Sequence, residues 1–319
     1  MQKIITSPLL FAILLFSILL FSTGTAFSQN PGSEKIKLRL NLKKGDHFTI
    51  KYLAQQDISQ VIMGTDQNIN QTIGLYYSYD VVEATKKSYR LKVTYSRVIF
   101  NQEGVTGSTR YDSDSVMAEV PVAAKGFAAL TGQSFLMDVT TNGEVTAVEG
   151  IDQMLDHMLQ SFDNLDNQTR DALSHSLKNQ YGDENTRATM QNLMAIYPKK
   201  KVGVGDEWKK VATIHQGFPL TLQTTYKIKS IAGDDVTLDV FSEIVSDPDT
   251  PMEIMGMKLN YRLAGVQQGE THLDPATGWT KGSKINQDLS GEVTMNSELL
   301  PGPQTWPITL VSDYDVRSE

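Results

Sequence analysis

The chain of 319 residues contains no cysteine. That absence excludes a disulfide framework, a thiolate zinc site, an iron–sulfur cluster, a cysteine nucleophile and lipidation on cysteine. Cations are the minority, 29 Lys and Arg against 37 Asp and Glu. They form no basic cluster along the sequence, so a nucleic-acid partner is not expected. Histidine is scarce. His47, His157, His175, His215 and His272 show neither an H-E-x-x-H pattern nor a close pair of histidines accompanied by a carboxylate. G-x-S-x-G, S-x-x-K and phosphate-loop patterns are also missing. Asp247-Pro248-Asp249 lacks the alternating oxygen ligands of a calcium loop and reads as a proline turn. No catalytic, cofactor-binding or metal-ligating residue is therefore singled out, and a non-catalytic protein is expected.

Long hydrophobic runs are limited to one. Leu9 to Phe21 is almost unbroken apolar sequence behind Lys3, and Ala26-Phe27-Ser28 puts small residues at both cleavage-determining positions. Residues 1–28 read as a cleavable signal peptide, because the apolar run is shorter than the roughly 20 residues a spanning helix needs. The expected location is periplasmic or secreted. No stable membrane span is expected after cleavage, and with no cysteine behind the signal the chain is not expected to be a lipoprotein.

What is abundant is alternation. Ile36, Leu38, Leu40 and Leu42 interleave with Lys35, Lys37, Arg39, Asn41 and Lys43. Tyr89, Leu91, Val93 and Tyr95 follow the same period, and Arg97 breaks the parity, which predicts a bulge. Asn142-Gly143 between alternating segments predicts a hairpin. From 284 to 295 the apolar face holds Ile285, Leu289, Val293 and Met295, interrupted by Gln287 and Gly291. One-sided alternation of this kind implies antiparallel sheet. Residues 151–197 differ: Ile151, Met154, Leu155, Met158, Leu159 and Phe162 fall at helical spacing. Further helices are expected near Asn167 and Asp183.

The two strand regions resemble each other. Gly45-Asp46-His47-Phe48 matches Gly205-Asp206-Glu207-Trp208, and Tyr79-Asp80-Val81-Val82 matches Tyr226-Lys227-Ile228-Lys229. Asp138 to Gly143 matches Asp274 to Gly278, with the two aspartates expected to enter hairpin turns. The division expected is a signal peptide at 1–28, a first β unit at 29–150, a helical segment at 151–197 and a second β unit at 198–319.

Lys201-Val202-Gly203-Val204-Gly205-Asp206-Glu207-Trp208 resembles the K-V-G-D-x-W element of an uncharacterised family of exported bacterial proteins common in Bacteroidota. Tyr111-Asp112-Ser113 upstream and the D-x-x-T-G element within Gly269–Gly278 downstream are similar to further elements of that family. It is a domain of unknown function, so the resemblance implies an exported β-rich protein and transfers no catalytic residue.

The expected fold is α+β, mainly antiparallel, with two similar curved, half-barrel-like sheets and a helical insert between them. Aromatics cluster in the first unit, and a curled sheet leaves a concavity wherever helices do not cover it. The expected ligand groove contains Tyr77, Tyr79, Tyr89, Tyr95, Met255 and Met257, and the expected partner is a lipid or apolar small molecule. A protein-interaction or scaffold module of the envelope, meeting another envelope protein through strand edges and the Met-bearing segment, is the second reading. An enzyme without a recognisable motif is the third.

Overall fold

Alternation becomes strand along most of the chain. The computed structural model describes residues 35–62, 64–105, 107–160, 162, 166–194, 196–214, 219–254, 257–296 and 302–318. The signal-like segment 1–28 lies outside the described residues. β1 (His47–Ile62), β2 (Thr65–Ala84), β3 (Ser88–Gly104) and β4 (Gly107–Asp112) come first. A short helix α1 (Lys125–Ala128) leads to the hairpin β5 (Ser134–Thr140) and β6 (Val145–Glu149). Helices α2 (Ile151–Gln160), α3 (Asn167–Tyr181) and α4 (Asp183–Met194) follow. Then come β7 (Glu207–Ile214), β8 (Leu220–Ala232), β9 (Asp235–Ser246) and β10 (Met252–Ile254). β11 (Met257–Leu273), β12 (Thr280–Asn296) and β13 (Gln304–Ser318) complete the strands of the described residues.

All these strands join one antiparallel sheet in the order β6-β5-β3-β2-β1-β13-β12-β11-β9-β8-β7, with β4 on β3 and β10 on β11. The class is α+β and mainly antiparallel, as the alternation predicts. The two β units are the halves of this single sheet, joined edge to edge through β13. The order β6-β5-β3-β2-β1 is repeated by β12-β11-β9-β8-β7. Because neighbours alternate in direction, each strand runs the same way as its counterpart six places along.

Local geometry repeats with the order. Gly45 and Gly205 take positive φ, 91° and 87°, which glycine adopts without a Cβ penalty. Asp46 Oδ2 accepts from Lys43 N at 2.7 Å, and Asp206 Oδ2 accepts from Gly203 N at 2.9 Å. Gly45 N donates to Val81 O and Gly205 N to Ile228 O. The matched pairs Val81-Val82 and Ile228-Lys229 each sit at a register shift. The hairpin tips show a different alignment from the one the sequence suggests. Thr140, not Asp138, is the counterpart of Asp274. Thr140 N donates to Glu144 O as Asp274 N donates to Trp279 O, and the Thr140 hydroxyl accepts from Glu144 N as Asp274 accepts from Ala276 N. Asp138 lies mid-strand and pairs with Arg90 at 3.2 Å. The bulge expected at Arg97 falls one residue earlier, at Ser96, between the pairs Tyr76–Arg97 and Tyr77–Tyr95.

Residues 35–43 are extended but lie outside the sheet. Their alternation serves another purpose. Ile36 bridges Val202, Leu40 N donates to Thr141 O, and Asn41 N donates to Thr277 O. The segment is a strap that crosses both hairpin tips. Leu38, Leu40 and Leu42 point into the core and are buried.

The helices cover the opening that the sheet leaves. The end strands β6 and β7 both lie against α4. Gln191 Oε1 accepts from Val145 N at 2.7 Å, and Trp208 Nε1 donates to Ile196 O at 2.8 Å just beyond α4. α2 and α4 cap one another. Asp183 Oδ1 accepts from Ile151 N at 2.7 Å, while Asp152 Oδ1 accepts from Asp183 N at 3.1 Å. These bonds satisfy amides that a helix start otherwise leaves unpaired. Asp166 caps α3 through Thr169 N at 2.8 Å.

Candidate ligand cavity

Period-two strands place every second residue on the inner face. From β1 these are Ile50 and Tyr52, from β2 Tyr77 and Tyr79, and from β8 Tyr226. With Met190 and Met194 of α4 they wall a cavity of about 120 Å³. Ile196, Tyr197, Thr271, Trp279, Thr280, Ser283 and Val316 complete it. The rings support one another. Tyr79 meets Trp279 edge-on at 5.1 Å, and Tyr77 lies 6.0 Å from Tyr79. The two turn-following aromatics brace this wall from behind. Phe48 stacks on Trp279 at 4.3 Å, and Trp208 stacks on Tyr226 at 5.4 Å.

Burial keeps the phenols neutral, since an ionised ring loses its solvation there. The pKa values of Tyr52, Tyr77, Tyr79, Tyr197 and Tyr226 are all raised, chiefly by burial. Tyr95 is pushed up to about 12, again by burial. One donor stands out. The Trp279 indole N–H is buried and meets no acceptor among the described residues. The cavity is thus aromatic and apolar, with the paired hydroxyls of Thr271 and Ser283, 2.8 Å apart, among its lining residues.

The expected groove residues separate into groups. Tyr77 and Tyr79 are cavity wall. Tyr95 stands behind Tyr77 at 4.9 Å and touches Phe135 at 6.3 Å. The Tyr89 hydroxyl donates to Leu40 O of the strap at 3.3 Å. Met255 lies outside the described residues, as does the side chain of Met257. Alternation alone did not reveal that α4 and the β11–β12 tip supply the opposite wall, because those residues are distant in sequence. Among the described residues no cluster of His, Asp and Glu is arranged to hold a metal ion.

Beneath the cavity the inner face changes character. Gln71, Gln56, Ser312, Gln287, Gln267, Ser242 and Thr224 stand directly opposite one another across seven successive strands, β2 to β8 in sheet order. All are buried. Gln71 Nε2 donates to Gln56 Oε1 and Gln287 Nε2 to Gln267 Oε1, both at 2.9 Å. The Tyr314 hydroxyl donates to Gln287 Oε1 at 3.1 Å, and Thr224 and Ser242 share a 2.8 Å bond. This polar ladder splits the interior. The larger apolar cluster lies on the cavity side, and a second, built on Ile214, Leu222, Ile244, Tyr261, Leu289 and Leu310, lies on the other.

Fold and site together define a class: a curled, internally repeated antiparallel sheet, crossed by a strap and roofed by helices over an aromatic cavity. The chain belongs to the family described as a family of unknown function (DUF6263), whose model matches residues 86–280. The matched stretch runs from the β2–β3 turn to the start of β12, across both halves of the sheet. No curated protein matches the chain. Among solved structures it is similar to the COG4313 outer membrane channel from Pseudomonas putida F1, at 9% identity over 92% of this chain and 100% of that one, with a TM-score of 0.20. It is similar to Pseudomonas aeruginosa OccK7 (OpdD) at 8% identity over 86% and 98%, with a TM-score of 0.22. It is also similar to a DUF1329 family protein from Desulfovibrio piger ATCC 29098 at 9% identity over 84% and 85%, with a TM-score of 0.13. At such scores none of the three bears on function. Among the described residues no helix is long and apolar enough to cross a membrane.

Proposed function

We propose that this protein is exported through its amino-terminal signal and binds an apolar or amphipathic small molecule without transforming it. The observation that carries this reading is the cavity under α4. Its lining of Ile50, Tyr52, Tyr77, Tyr79, Tyr226 and Trp279 disfavours charge and favours an apolar guest, with the Thr271 and Ser283 hydroxyls as its polar points. At about 120 Å³ the space matches one small ring or the end of an acyl chain. Larger guests need α4 to lift, and α4 reaches the neighbouring β6 edge through Gln191 and Arg187.

Two-dimensional ¹⁵N NMR of the indole N–H signals tests the reading, with benzene and decanoate as probes. Binding is expected to move the Trp279 signal and leave Trp306, in the second apolar cluster, unmoved. Met194→Trp, which fills the cavity, is expected to abolish the shift. Unchanged Trp279 signals with both probes, together with a clean apo mass for protein purified from its own envelope, would defeat the proposal.

A further inference from the structure

Folding assembles a basic rim that the linear sequence keeps in three separate pieces. The outward positions of the strap carry Lys35, Lys37, Arg39 and Lys43, all exposed. Lys37 Nζ donates to Lys199 O at 2.7 Å, which sets the strap beside the exposed run Lys199-Lys200-Lys201. On its other flank, Leu40 N bonds Thr141 O and Thr141 N bonds Lys87 O, which brings in the exposed Lys86-Lys87 turn. Lys35 pairs with Asp206 at 2.8 Å. The other cations of this rim form no ion pair among the described residues. The nearby carboxylates of Asp46 and Asp274 accept from their own turns and keep their charge. With Asp206 and the exposed Glu83 and Glu144, these make five acids against the nine cations of the strap, the Lys86-Lys87 turn and the Lys199–Lys201 run.

We propose that this rim docks the protein on an anionic lipid surface. Several unpaired cations on one end of an acidic protein orient it toward negative charge. Each lysine close to an anionic bilayer contributes on the order of 1 kcal/mol, so no single residue needs to dominate. Val204, half-exposed at the tip of the Gly203–Asp206 turn, gives the rim an apolar point suited to a bilayer rather than to a nucleic-acid duplex. The strap also passes the cavity wall, since the Arg39 backbone lies against Gly278, next to Trp279. The proposal rests on the rim and stands without a cavity ligand.

Vesicle flotation tests it with two compositions, phosphatidylcholine alone and phosphatidylcholine with phosphatidylglycerol. Binding is expected only with phosphatidylglycerol, and 1 M salt is expected to remove it. Combined Lys199→Gln, Lys200→Gln and Lys201→Gln is expected to weaken binding on the order of a hundred-fold. These residues are exposed, so the fold is expected to persist, as circular dichroism would verify. Met194→Trp separates the two proposals, because it is expected to bind vesicles like the unaltered protein. Equal binding to both vesicle types, absence of binding to either, or salt-sensitive binding to duplex DNA with none to phosphatidylglycerol vesicles would overturn the inference.

Discussion

Gln287 Nε2 donates to Gln267 Oε1 at 2.9 Å between neighbouring strands, with both side chains sealed from solvent. The two partners are not equivalent. Gln267 Nε2 has no acceptor among the described residues, whereas Gln287 Oε1 also accepts from Tyr314. Gln267→Leu strands one donor but removes another that was already unanswered, so a loss near 1 kcal/mol is expected. Gln287→Leu removes both the donor to Gln267 Oε1 and an acceptor of the Tyr314 hydroxyl, so it breaks two buried bonds and a larger loss, about 2–3 kcal/mol, is expected. Urea unfolding of both single variants and the double variant checks this asymmetry. Equal losses for the two single variants would contradict it.

Alkaline pH is expected to unfold the protein through its interior tyrosines. Their folded pKa values lie above the unfolded value near 10. The unfolded chain therefore releases protons first, so the stability they confer is complete below about pH 10 and falls as pH rises toward the folded values. Absorbance at the phenolate band should lag the Tyr count until the near-ultraviolet dichroism collapses. Smooth titration of every tyrosine in a still-folded protein would be the contrary result.

The strap depends on one glycine. Gly278 has φ of 75°, and a Cβ there would stand 2.2 Å from Arg39 O. Gly278→Ala is expected to cost more than about 2 kcal/mol from the left-handed backbone and the displaced strap. Gly302→Ala, where no atom lies within 4 Å, serves as the neutral control. Faster amide exchange at Leu40 and Asn41 would locate the damage.

The reciprocal caps of α2 and α4 predict coupled fraying. Asp183→Ala removes the acceptor for Ile151 N, with an expected cost of about 1 kcal/mol. Hydrogen exchange should rise at the start of α2, although the substitution lies on α4. Exchange confined to α4 would show that the cap contributes nothing.

Much of the sheet was legible because one-sided alternation fixes strand, face and antiparallel class together. Gly-Asp before an aromatic announced both matching turns, since glycine conformation and aspartate capping are local properties. The interruption at Gln287 was visible, but its meaning was not. It is one position of a row in which neighbours such as Gln56 and Ser312 are 256 residues apart. Ile36 to Leu42 misled for a related reason. An extended strap and a sheet strand bury alternate residues alike, and only the identity of the hydrogen-bond partners separates them. The cavity wall at Met190, Met194 and Trp279 carried no local signal, and the basic rim was dispersed over three segments.

The position of β13 carries a consequence for how the chain reaches this state. It follows every other described strand in the chain, yet it lies between β1 and β12 at the centre of the sheet. Its pairing with β1 spans about the full described length, a closure that is slow because chain entropy is spent before contacts reward it. Until that keystone arrives, the halves remain separate ribbons with open central edges. Sheet closure thus waits on both extremes of the described chain, so pairing of β1 with β13 is the event that commits the two ribbons to one body.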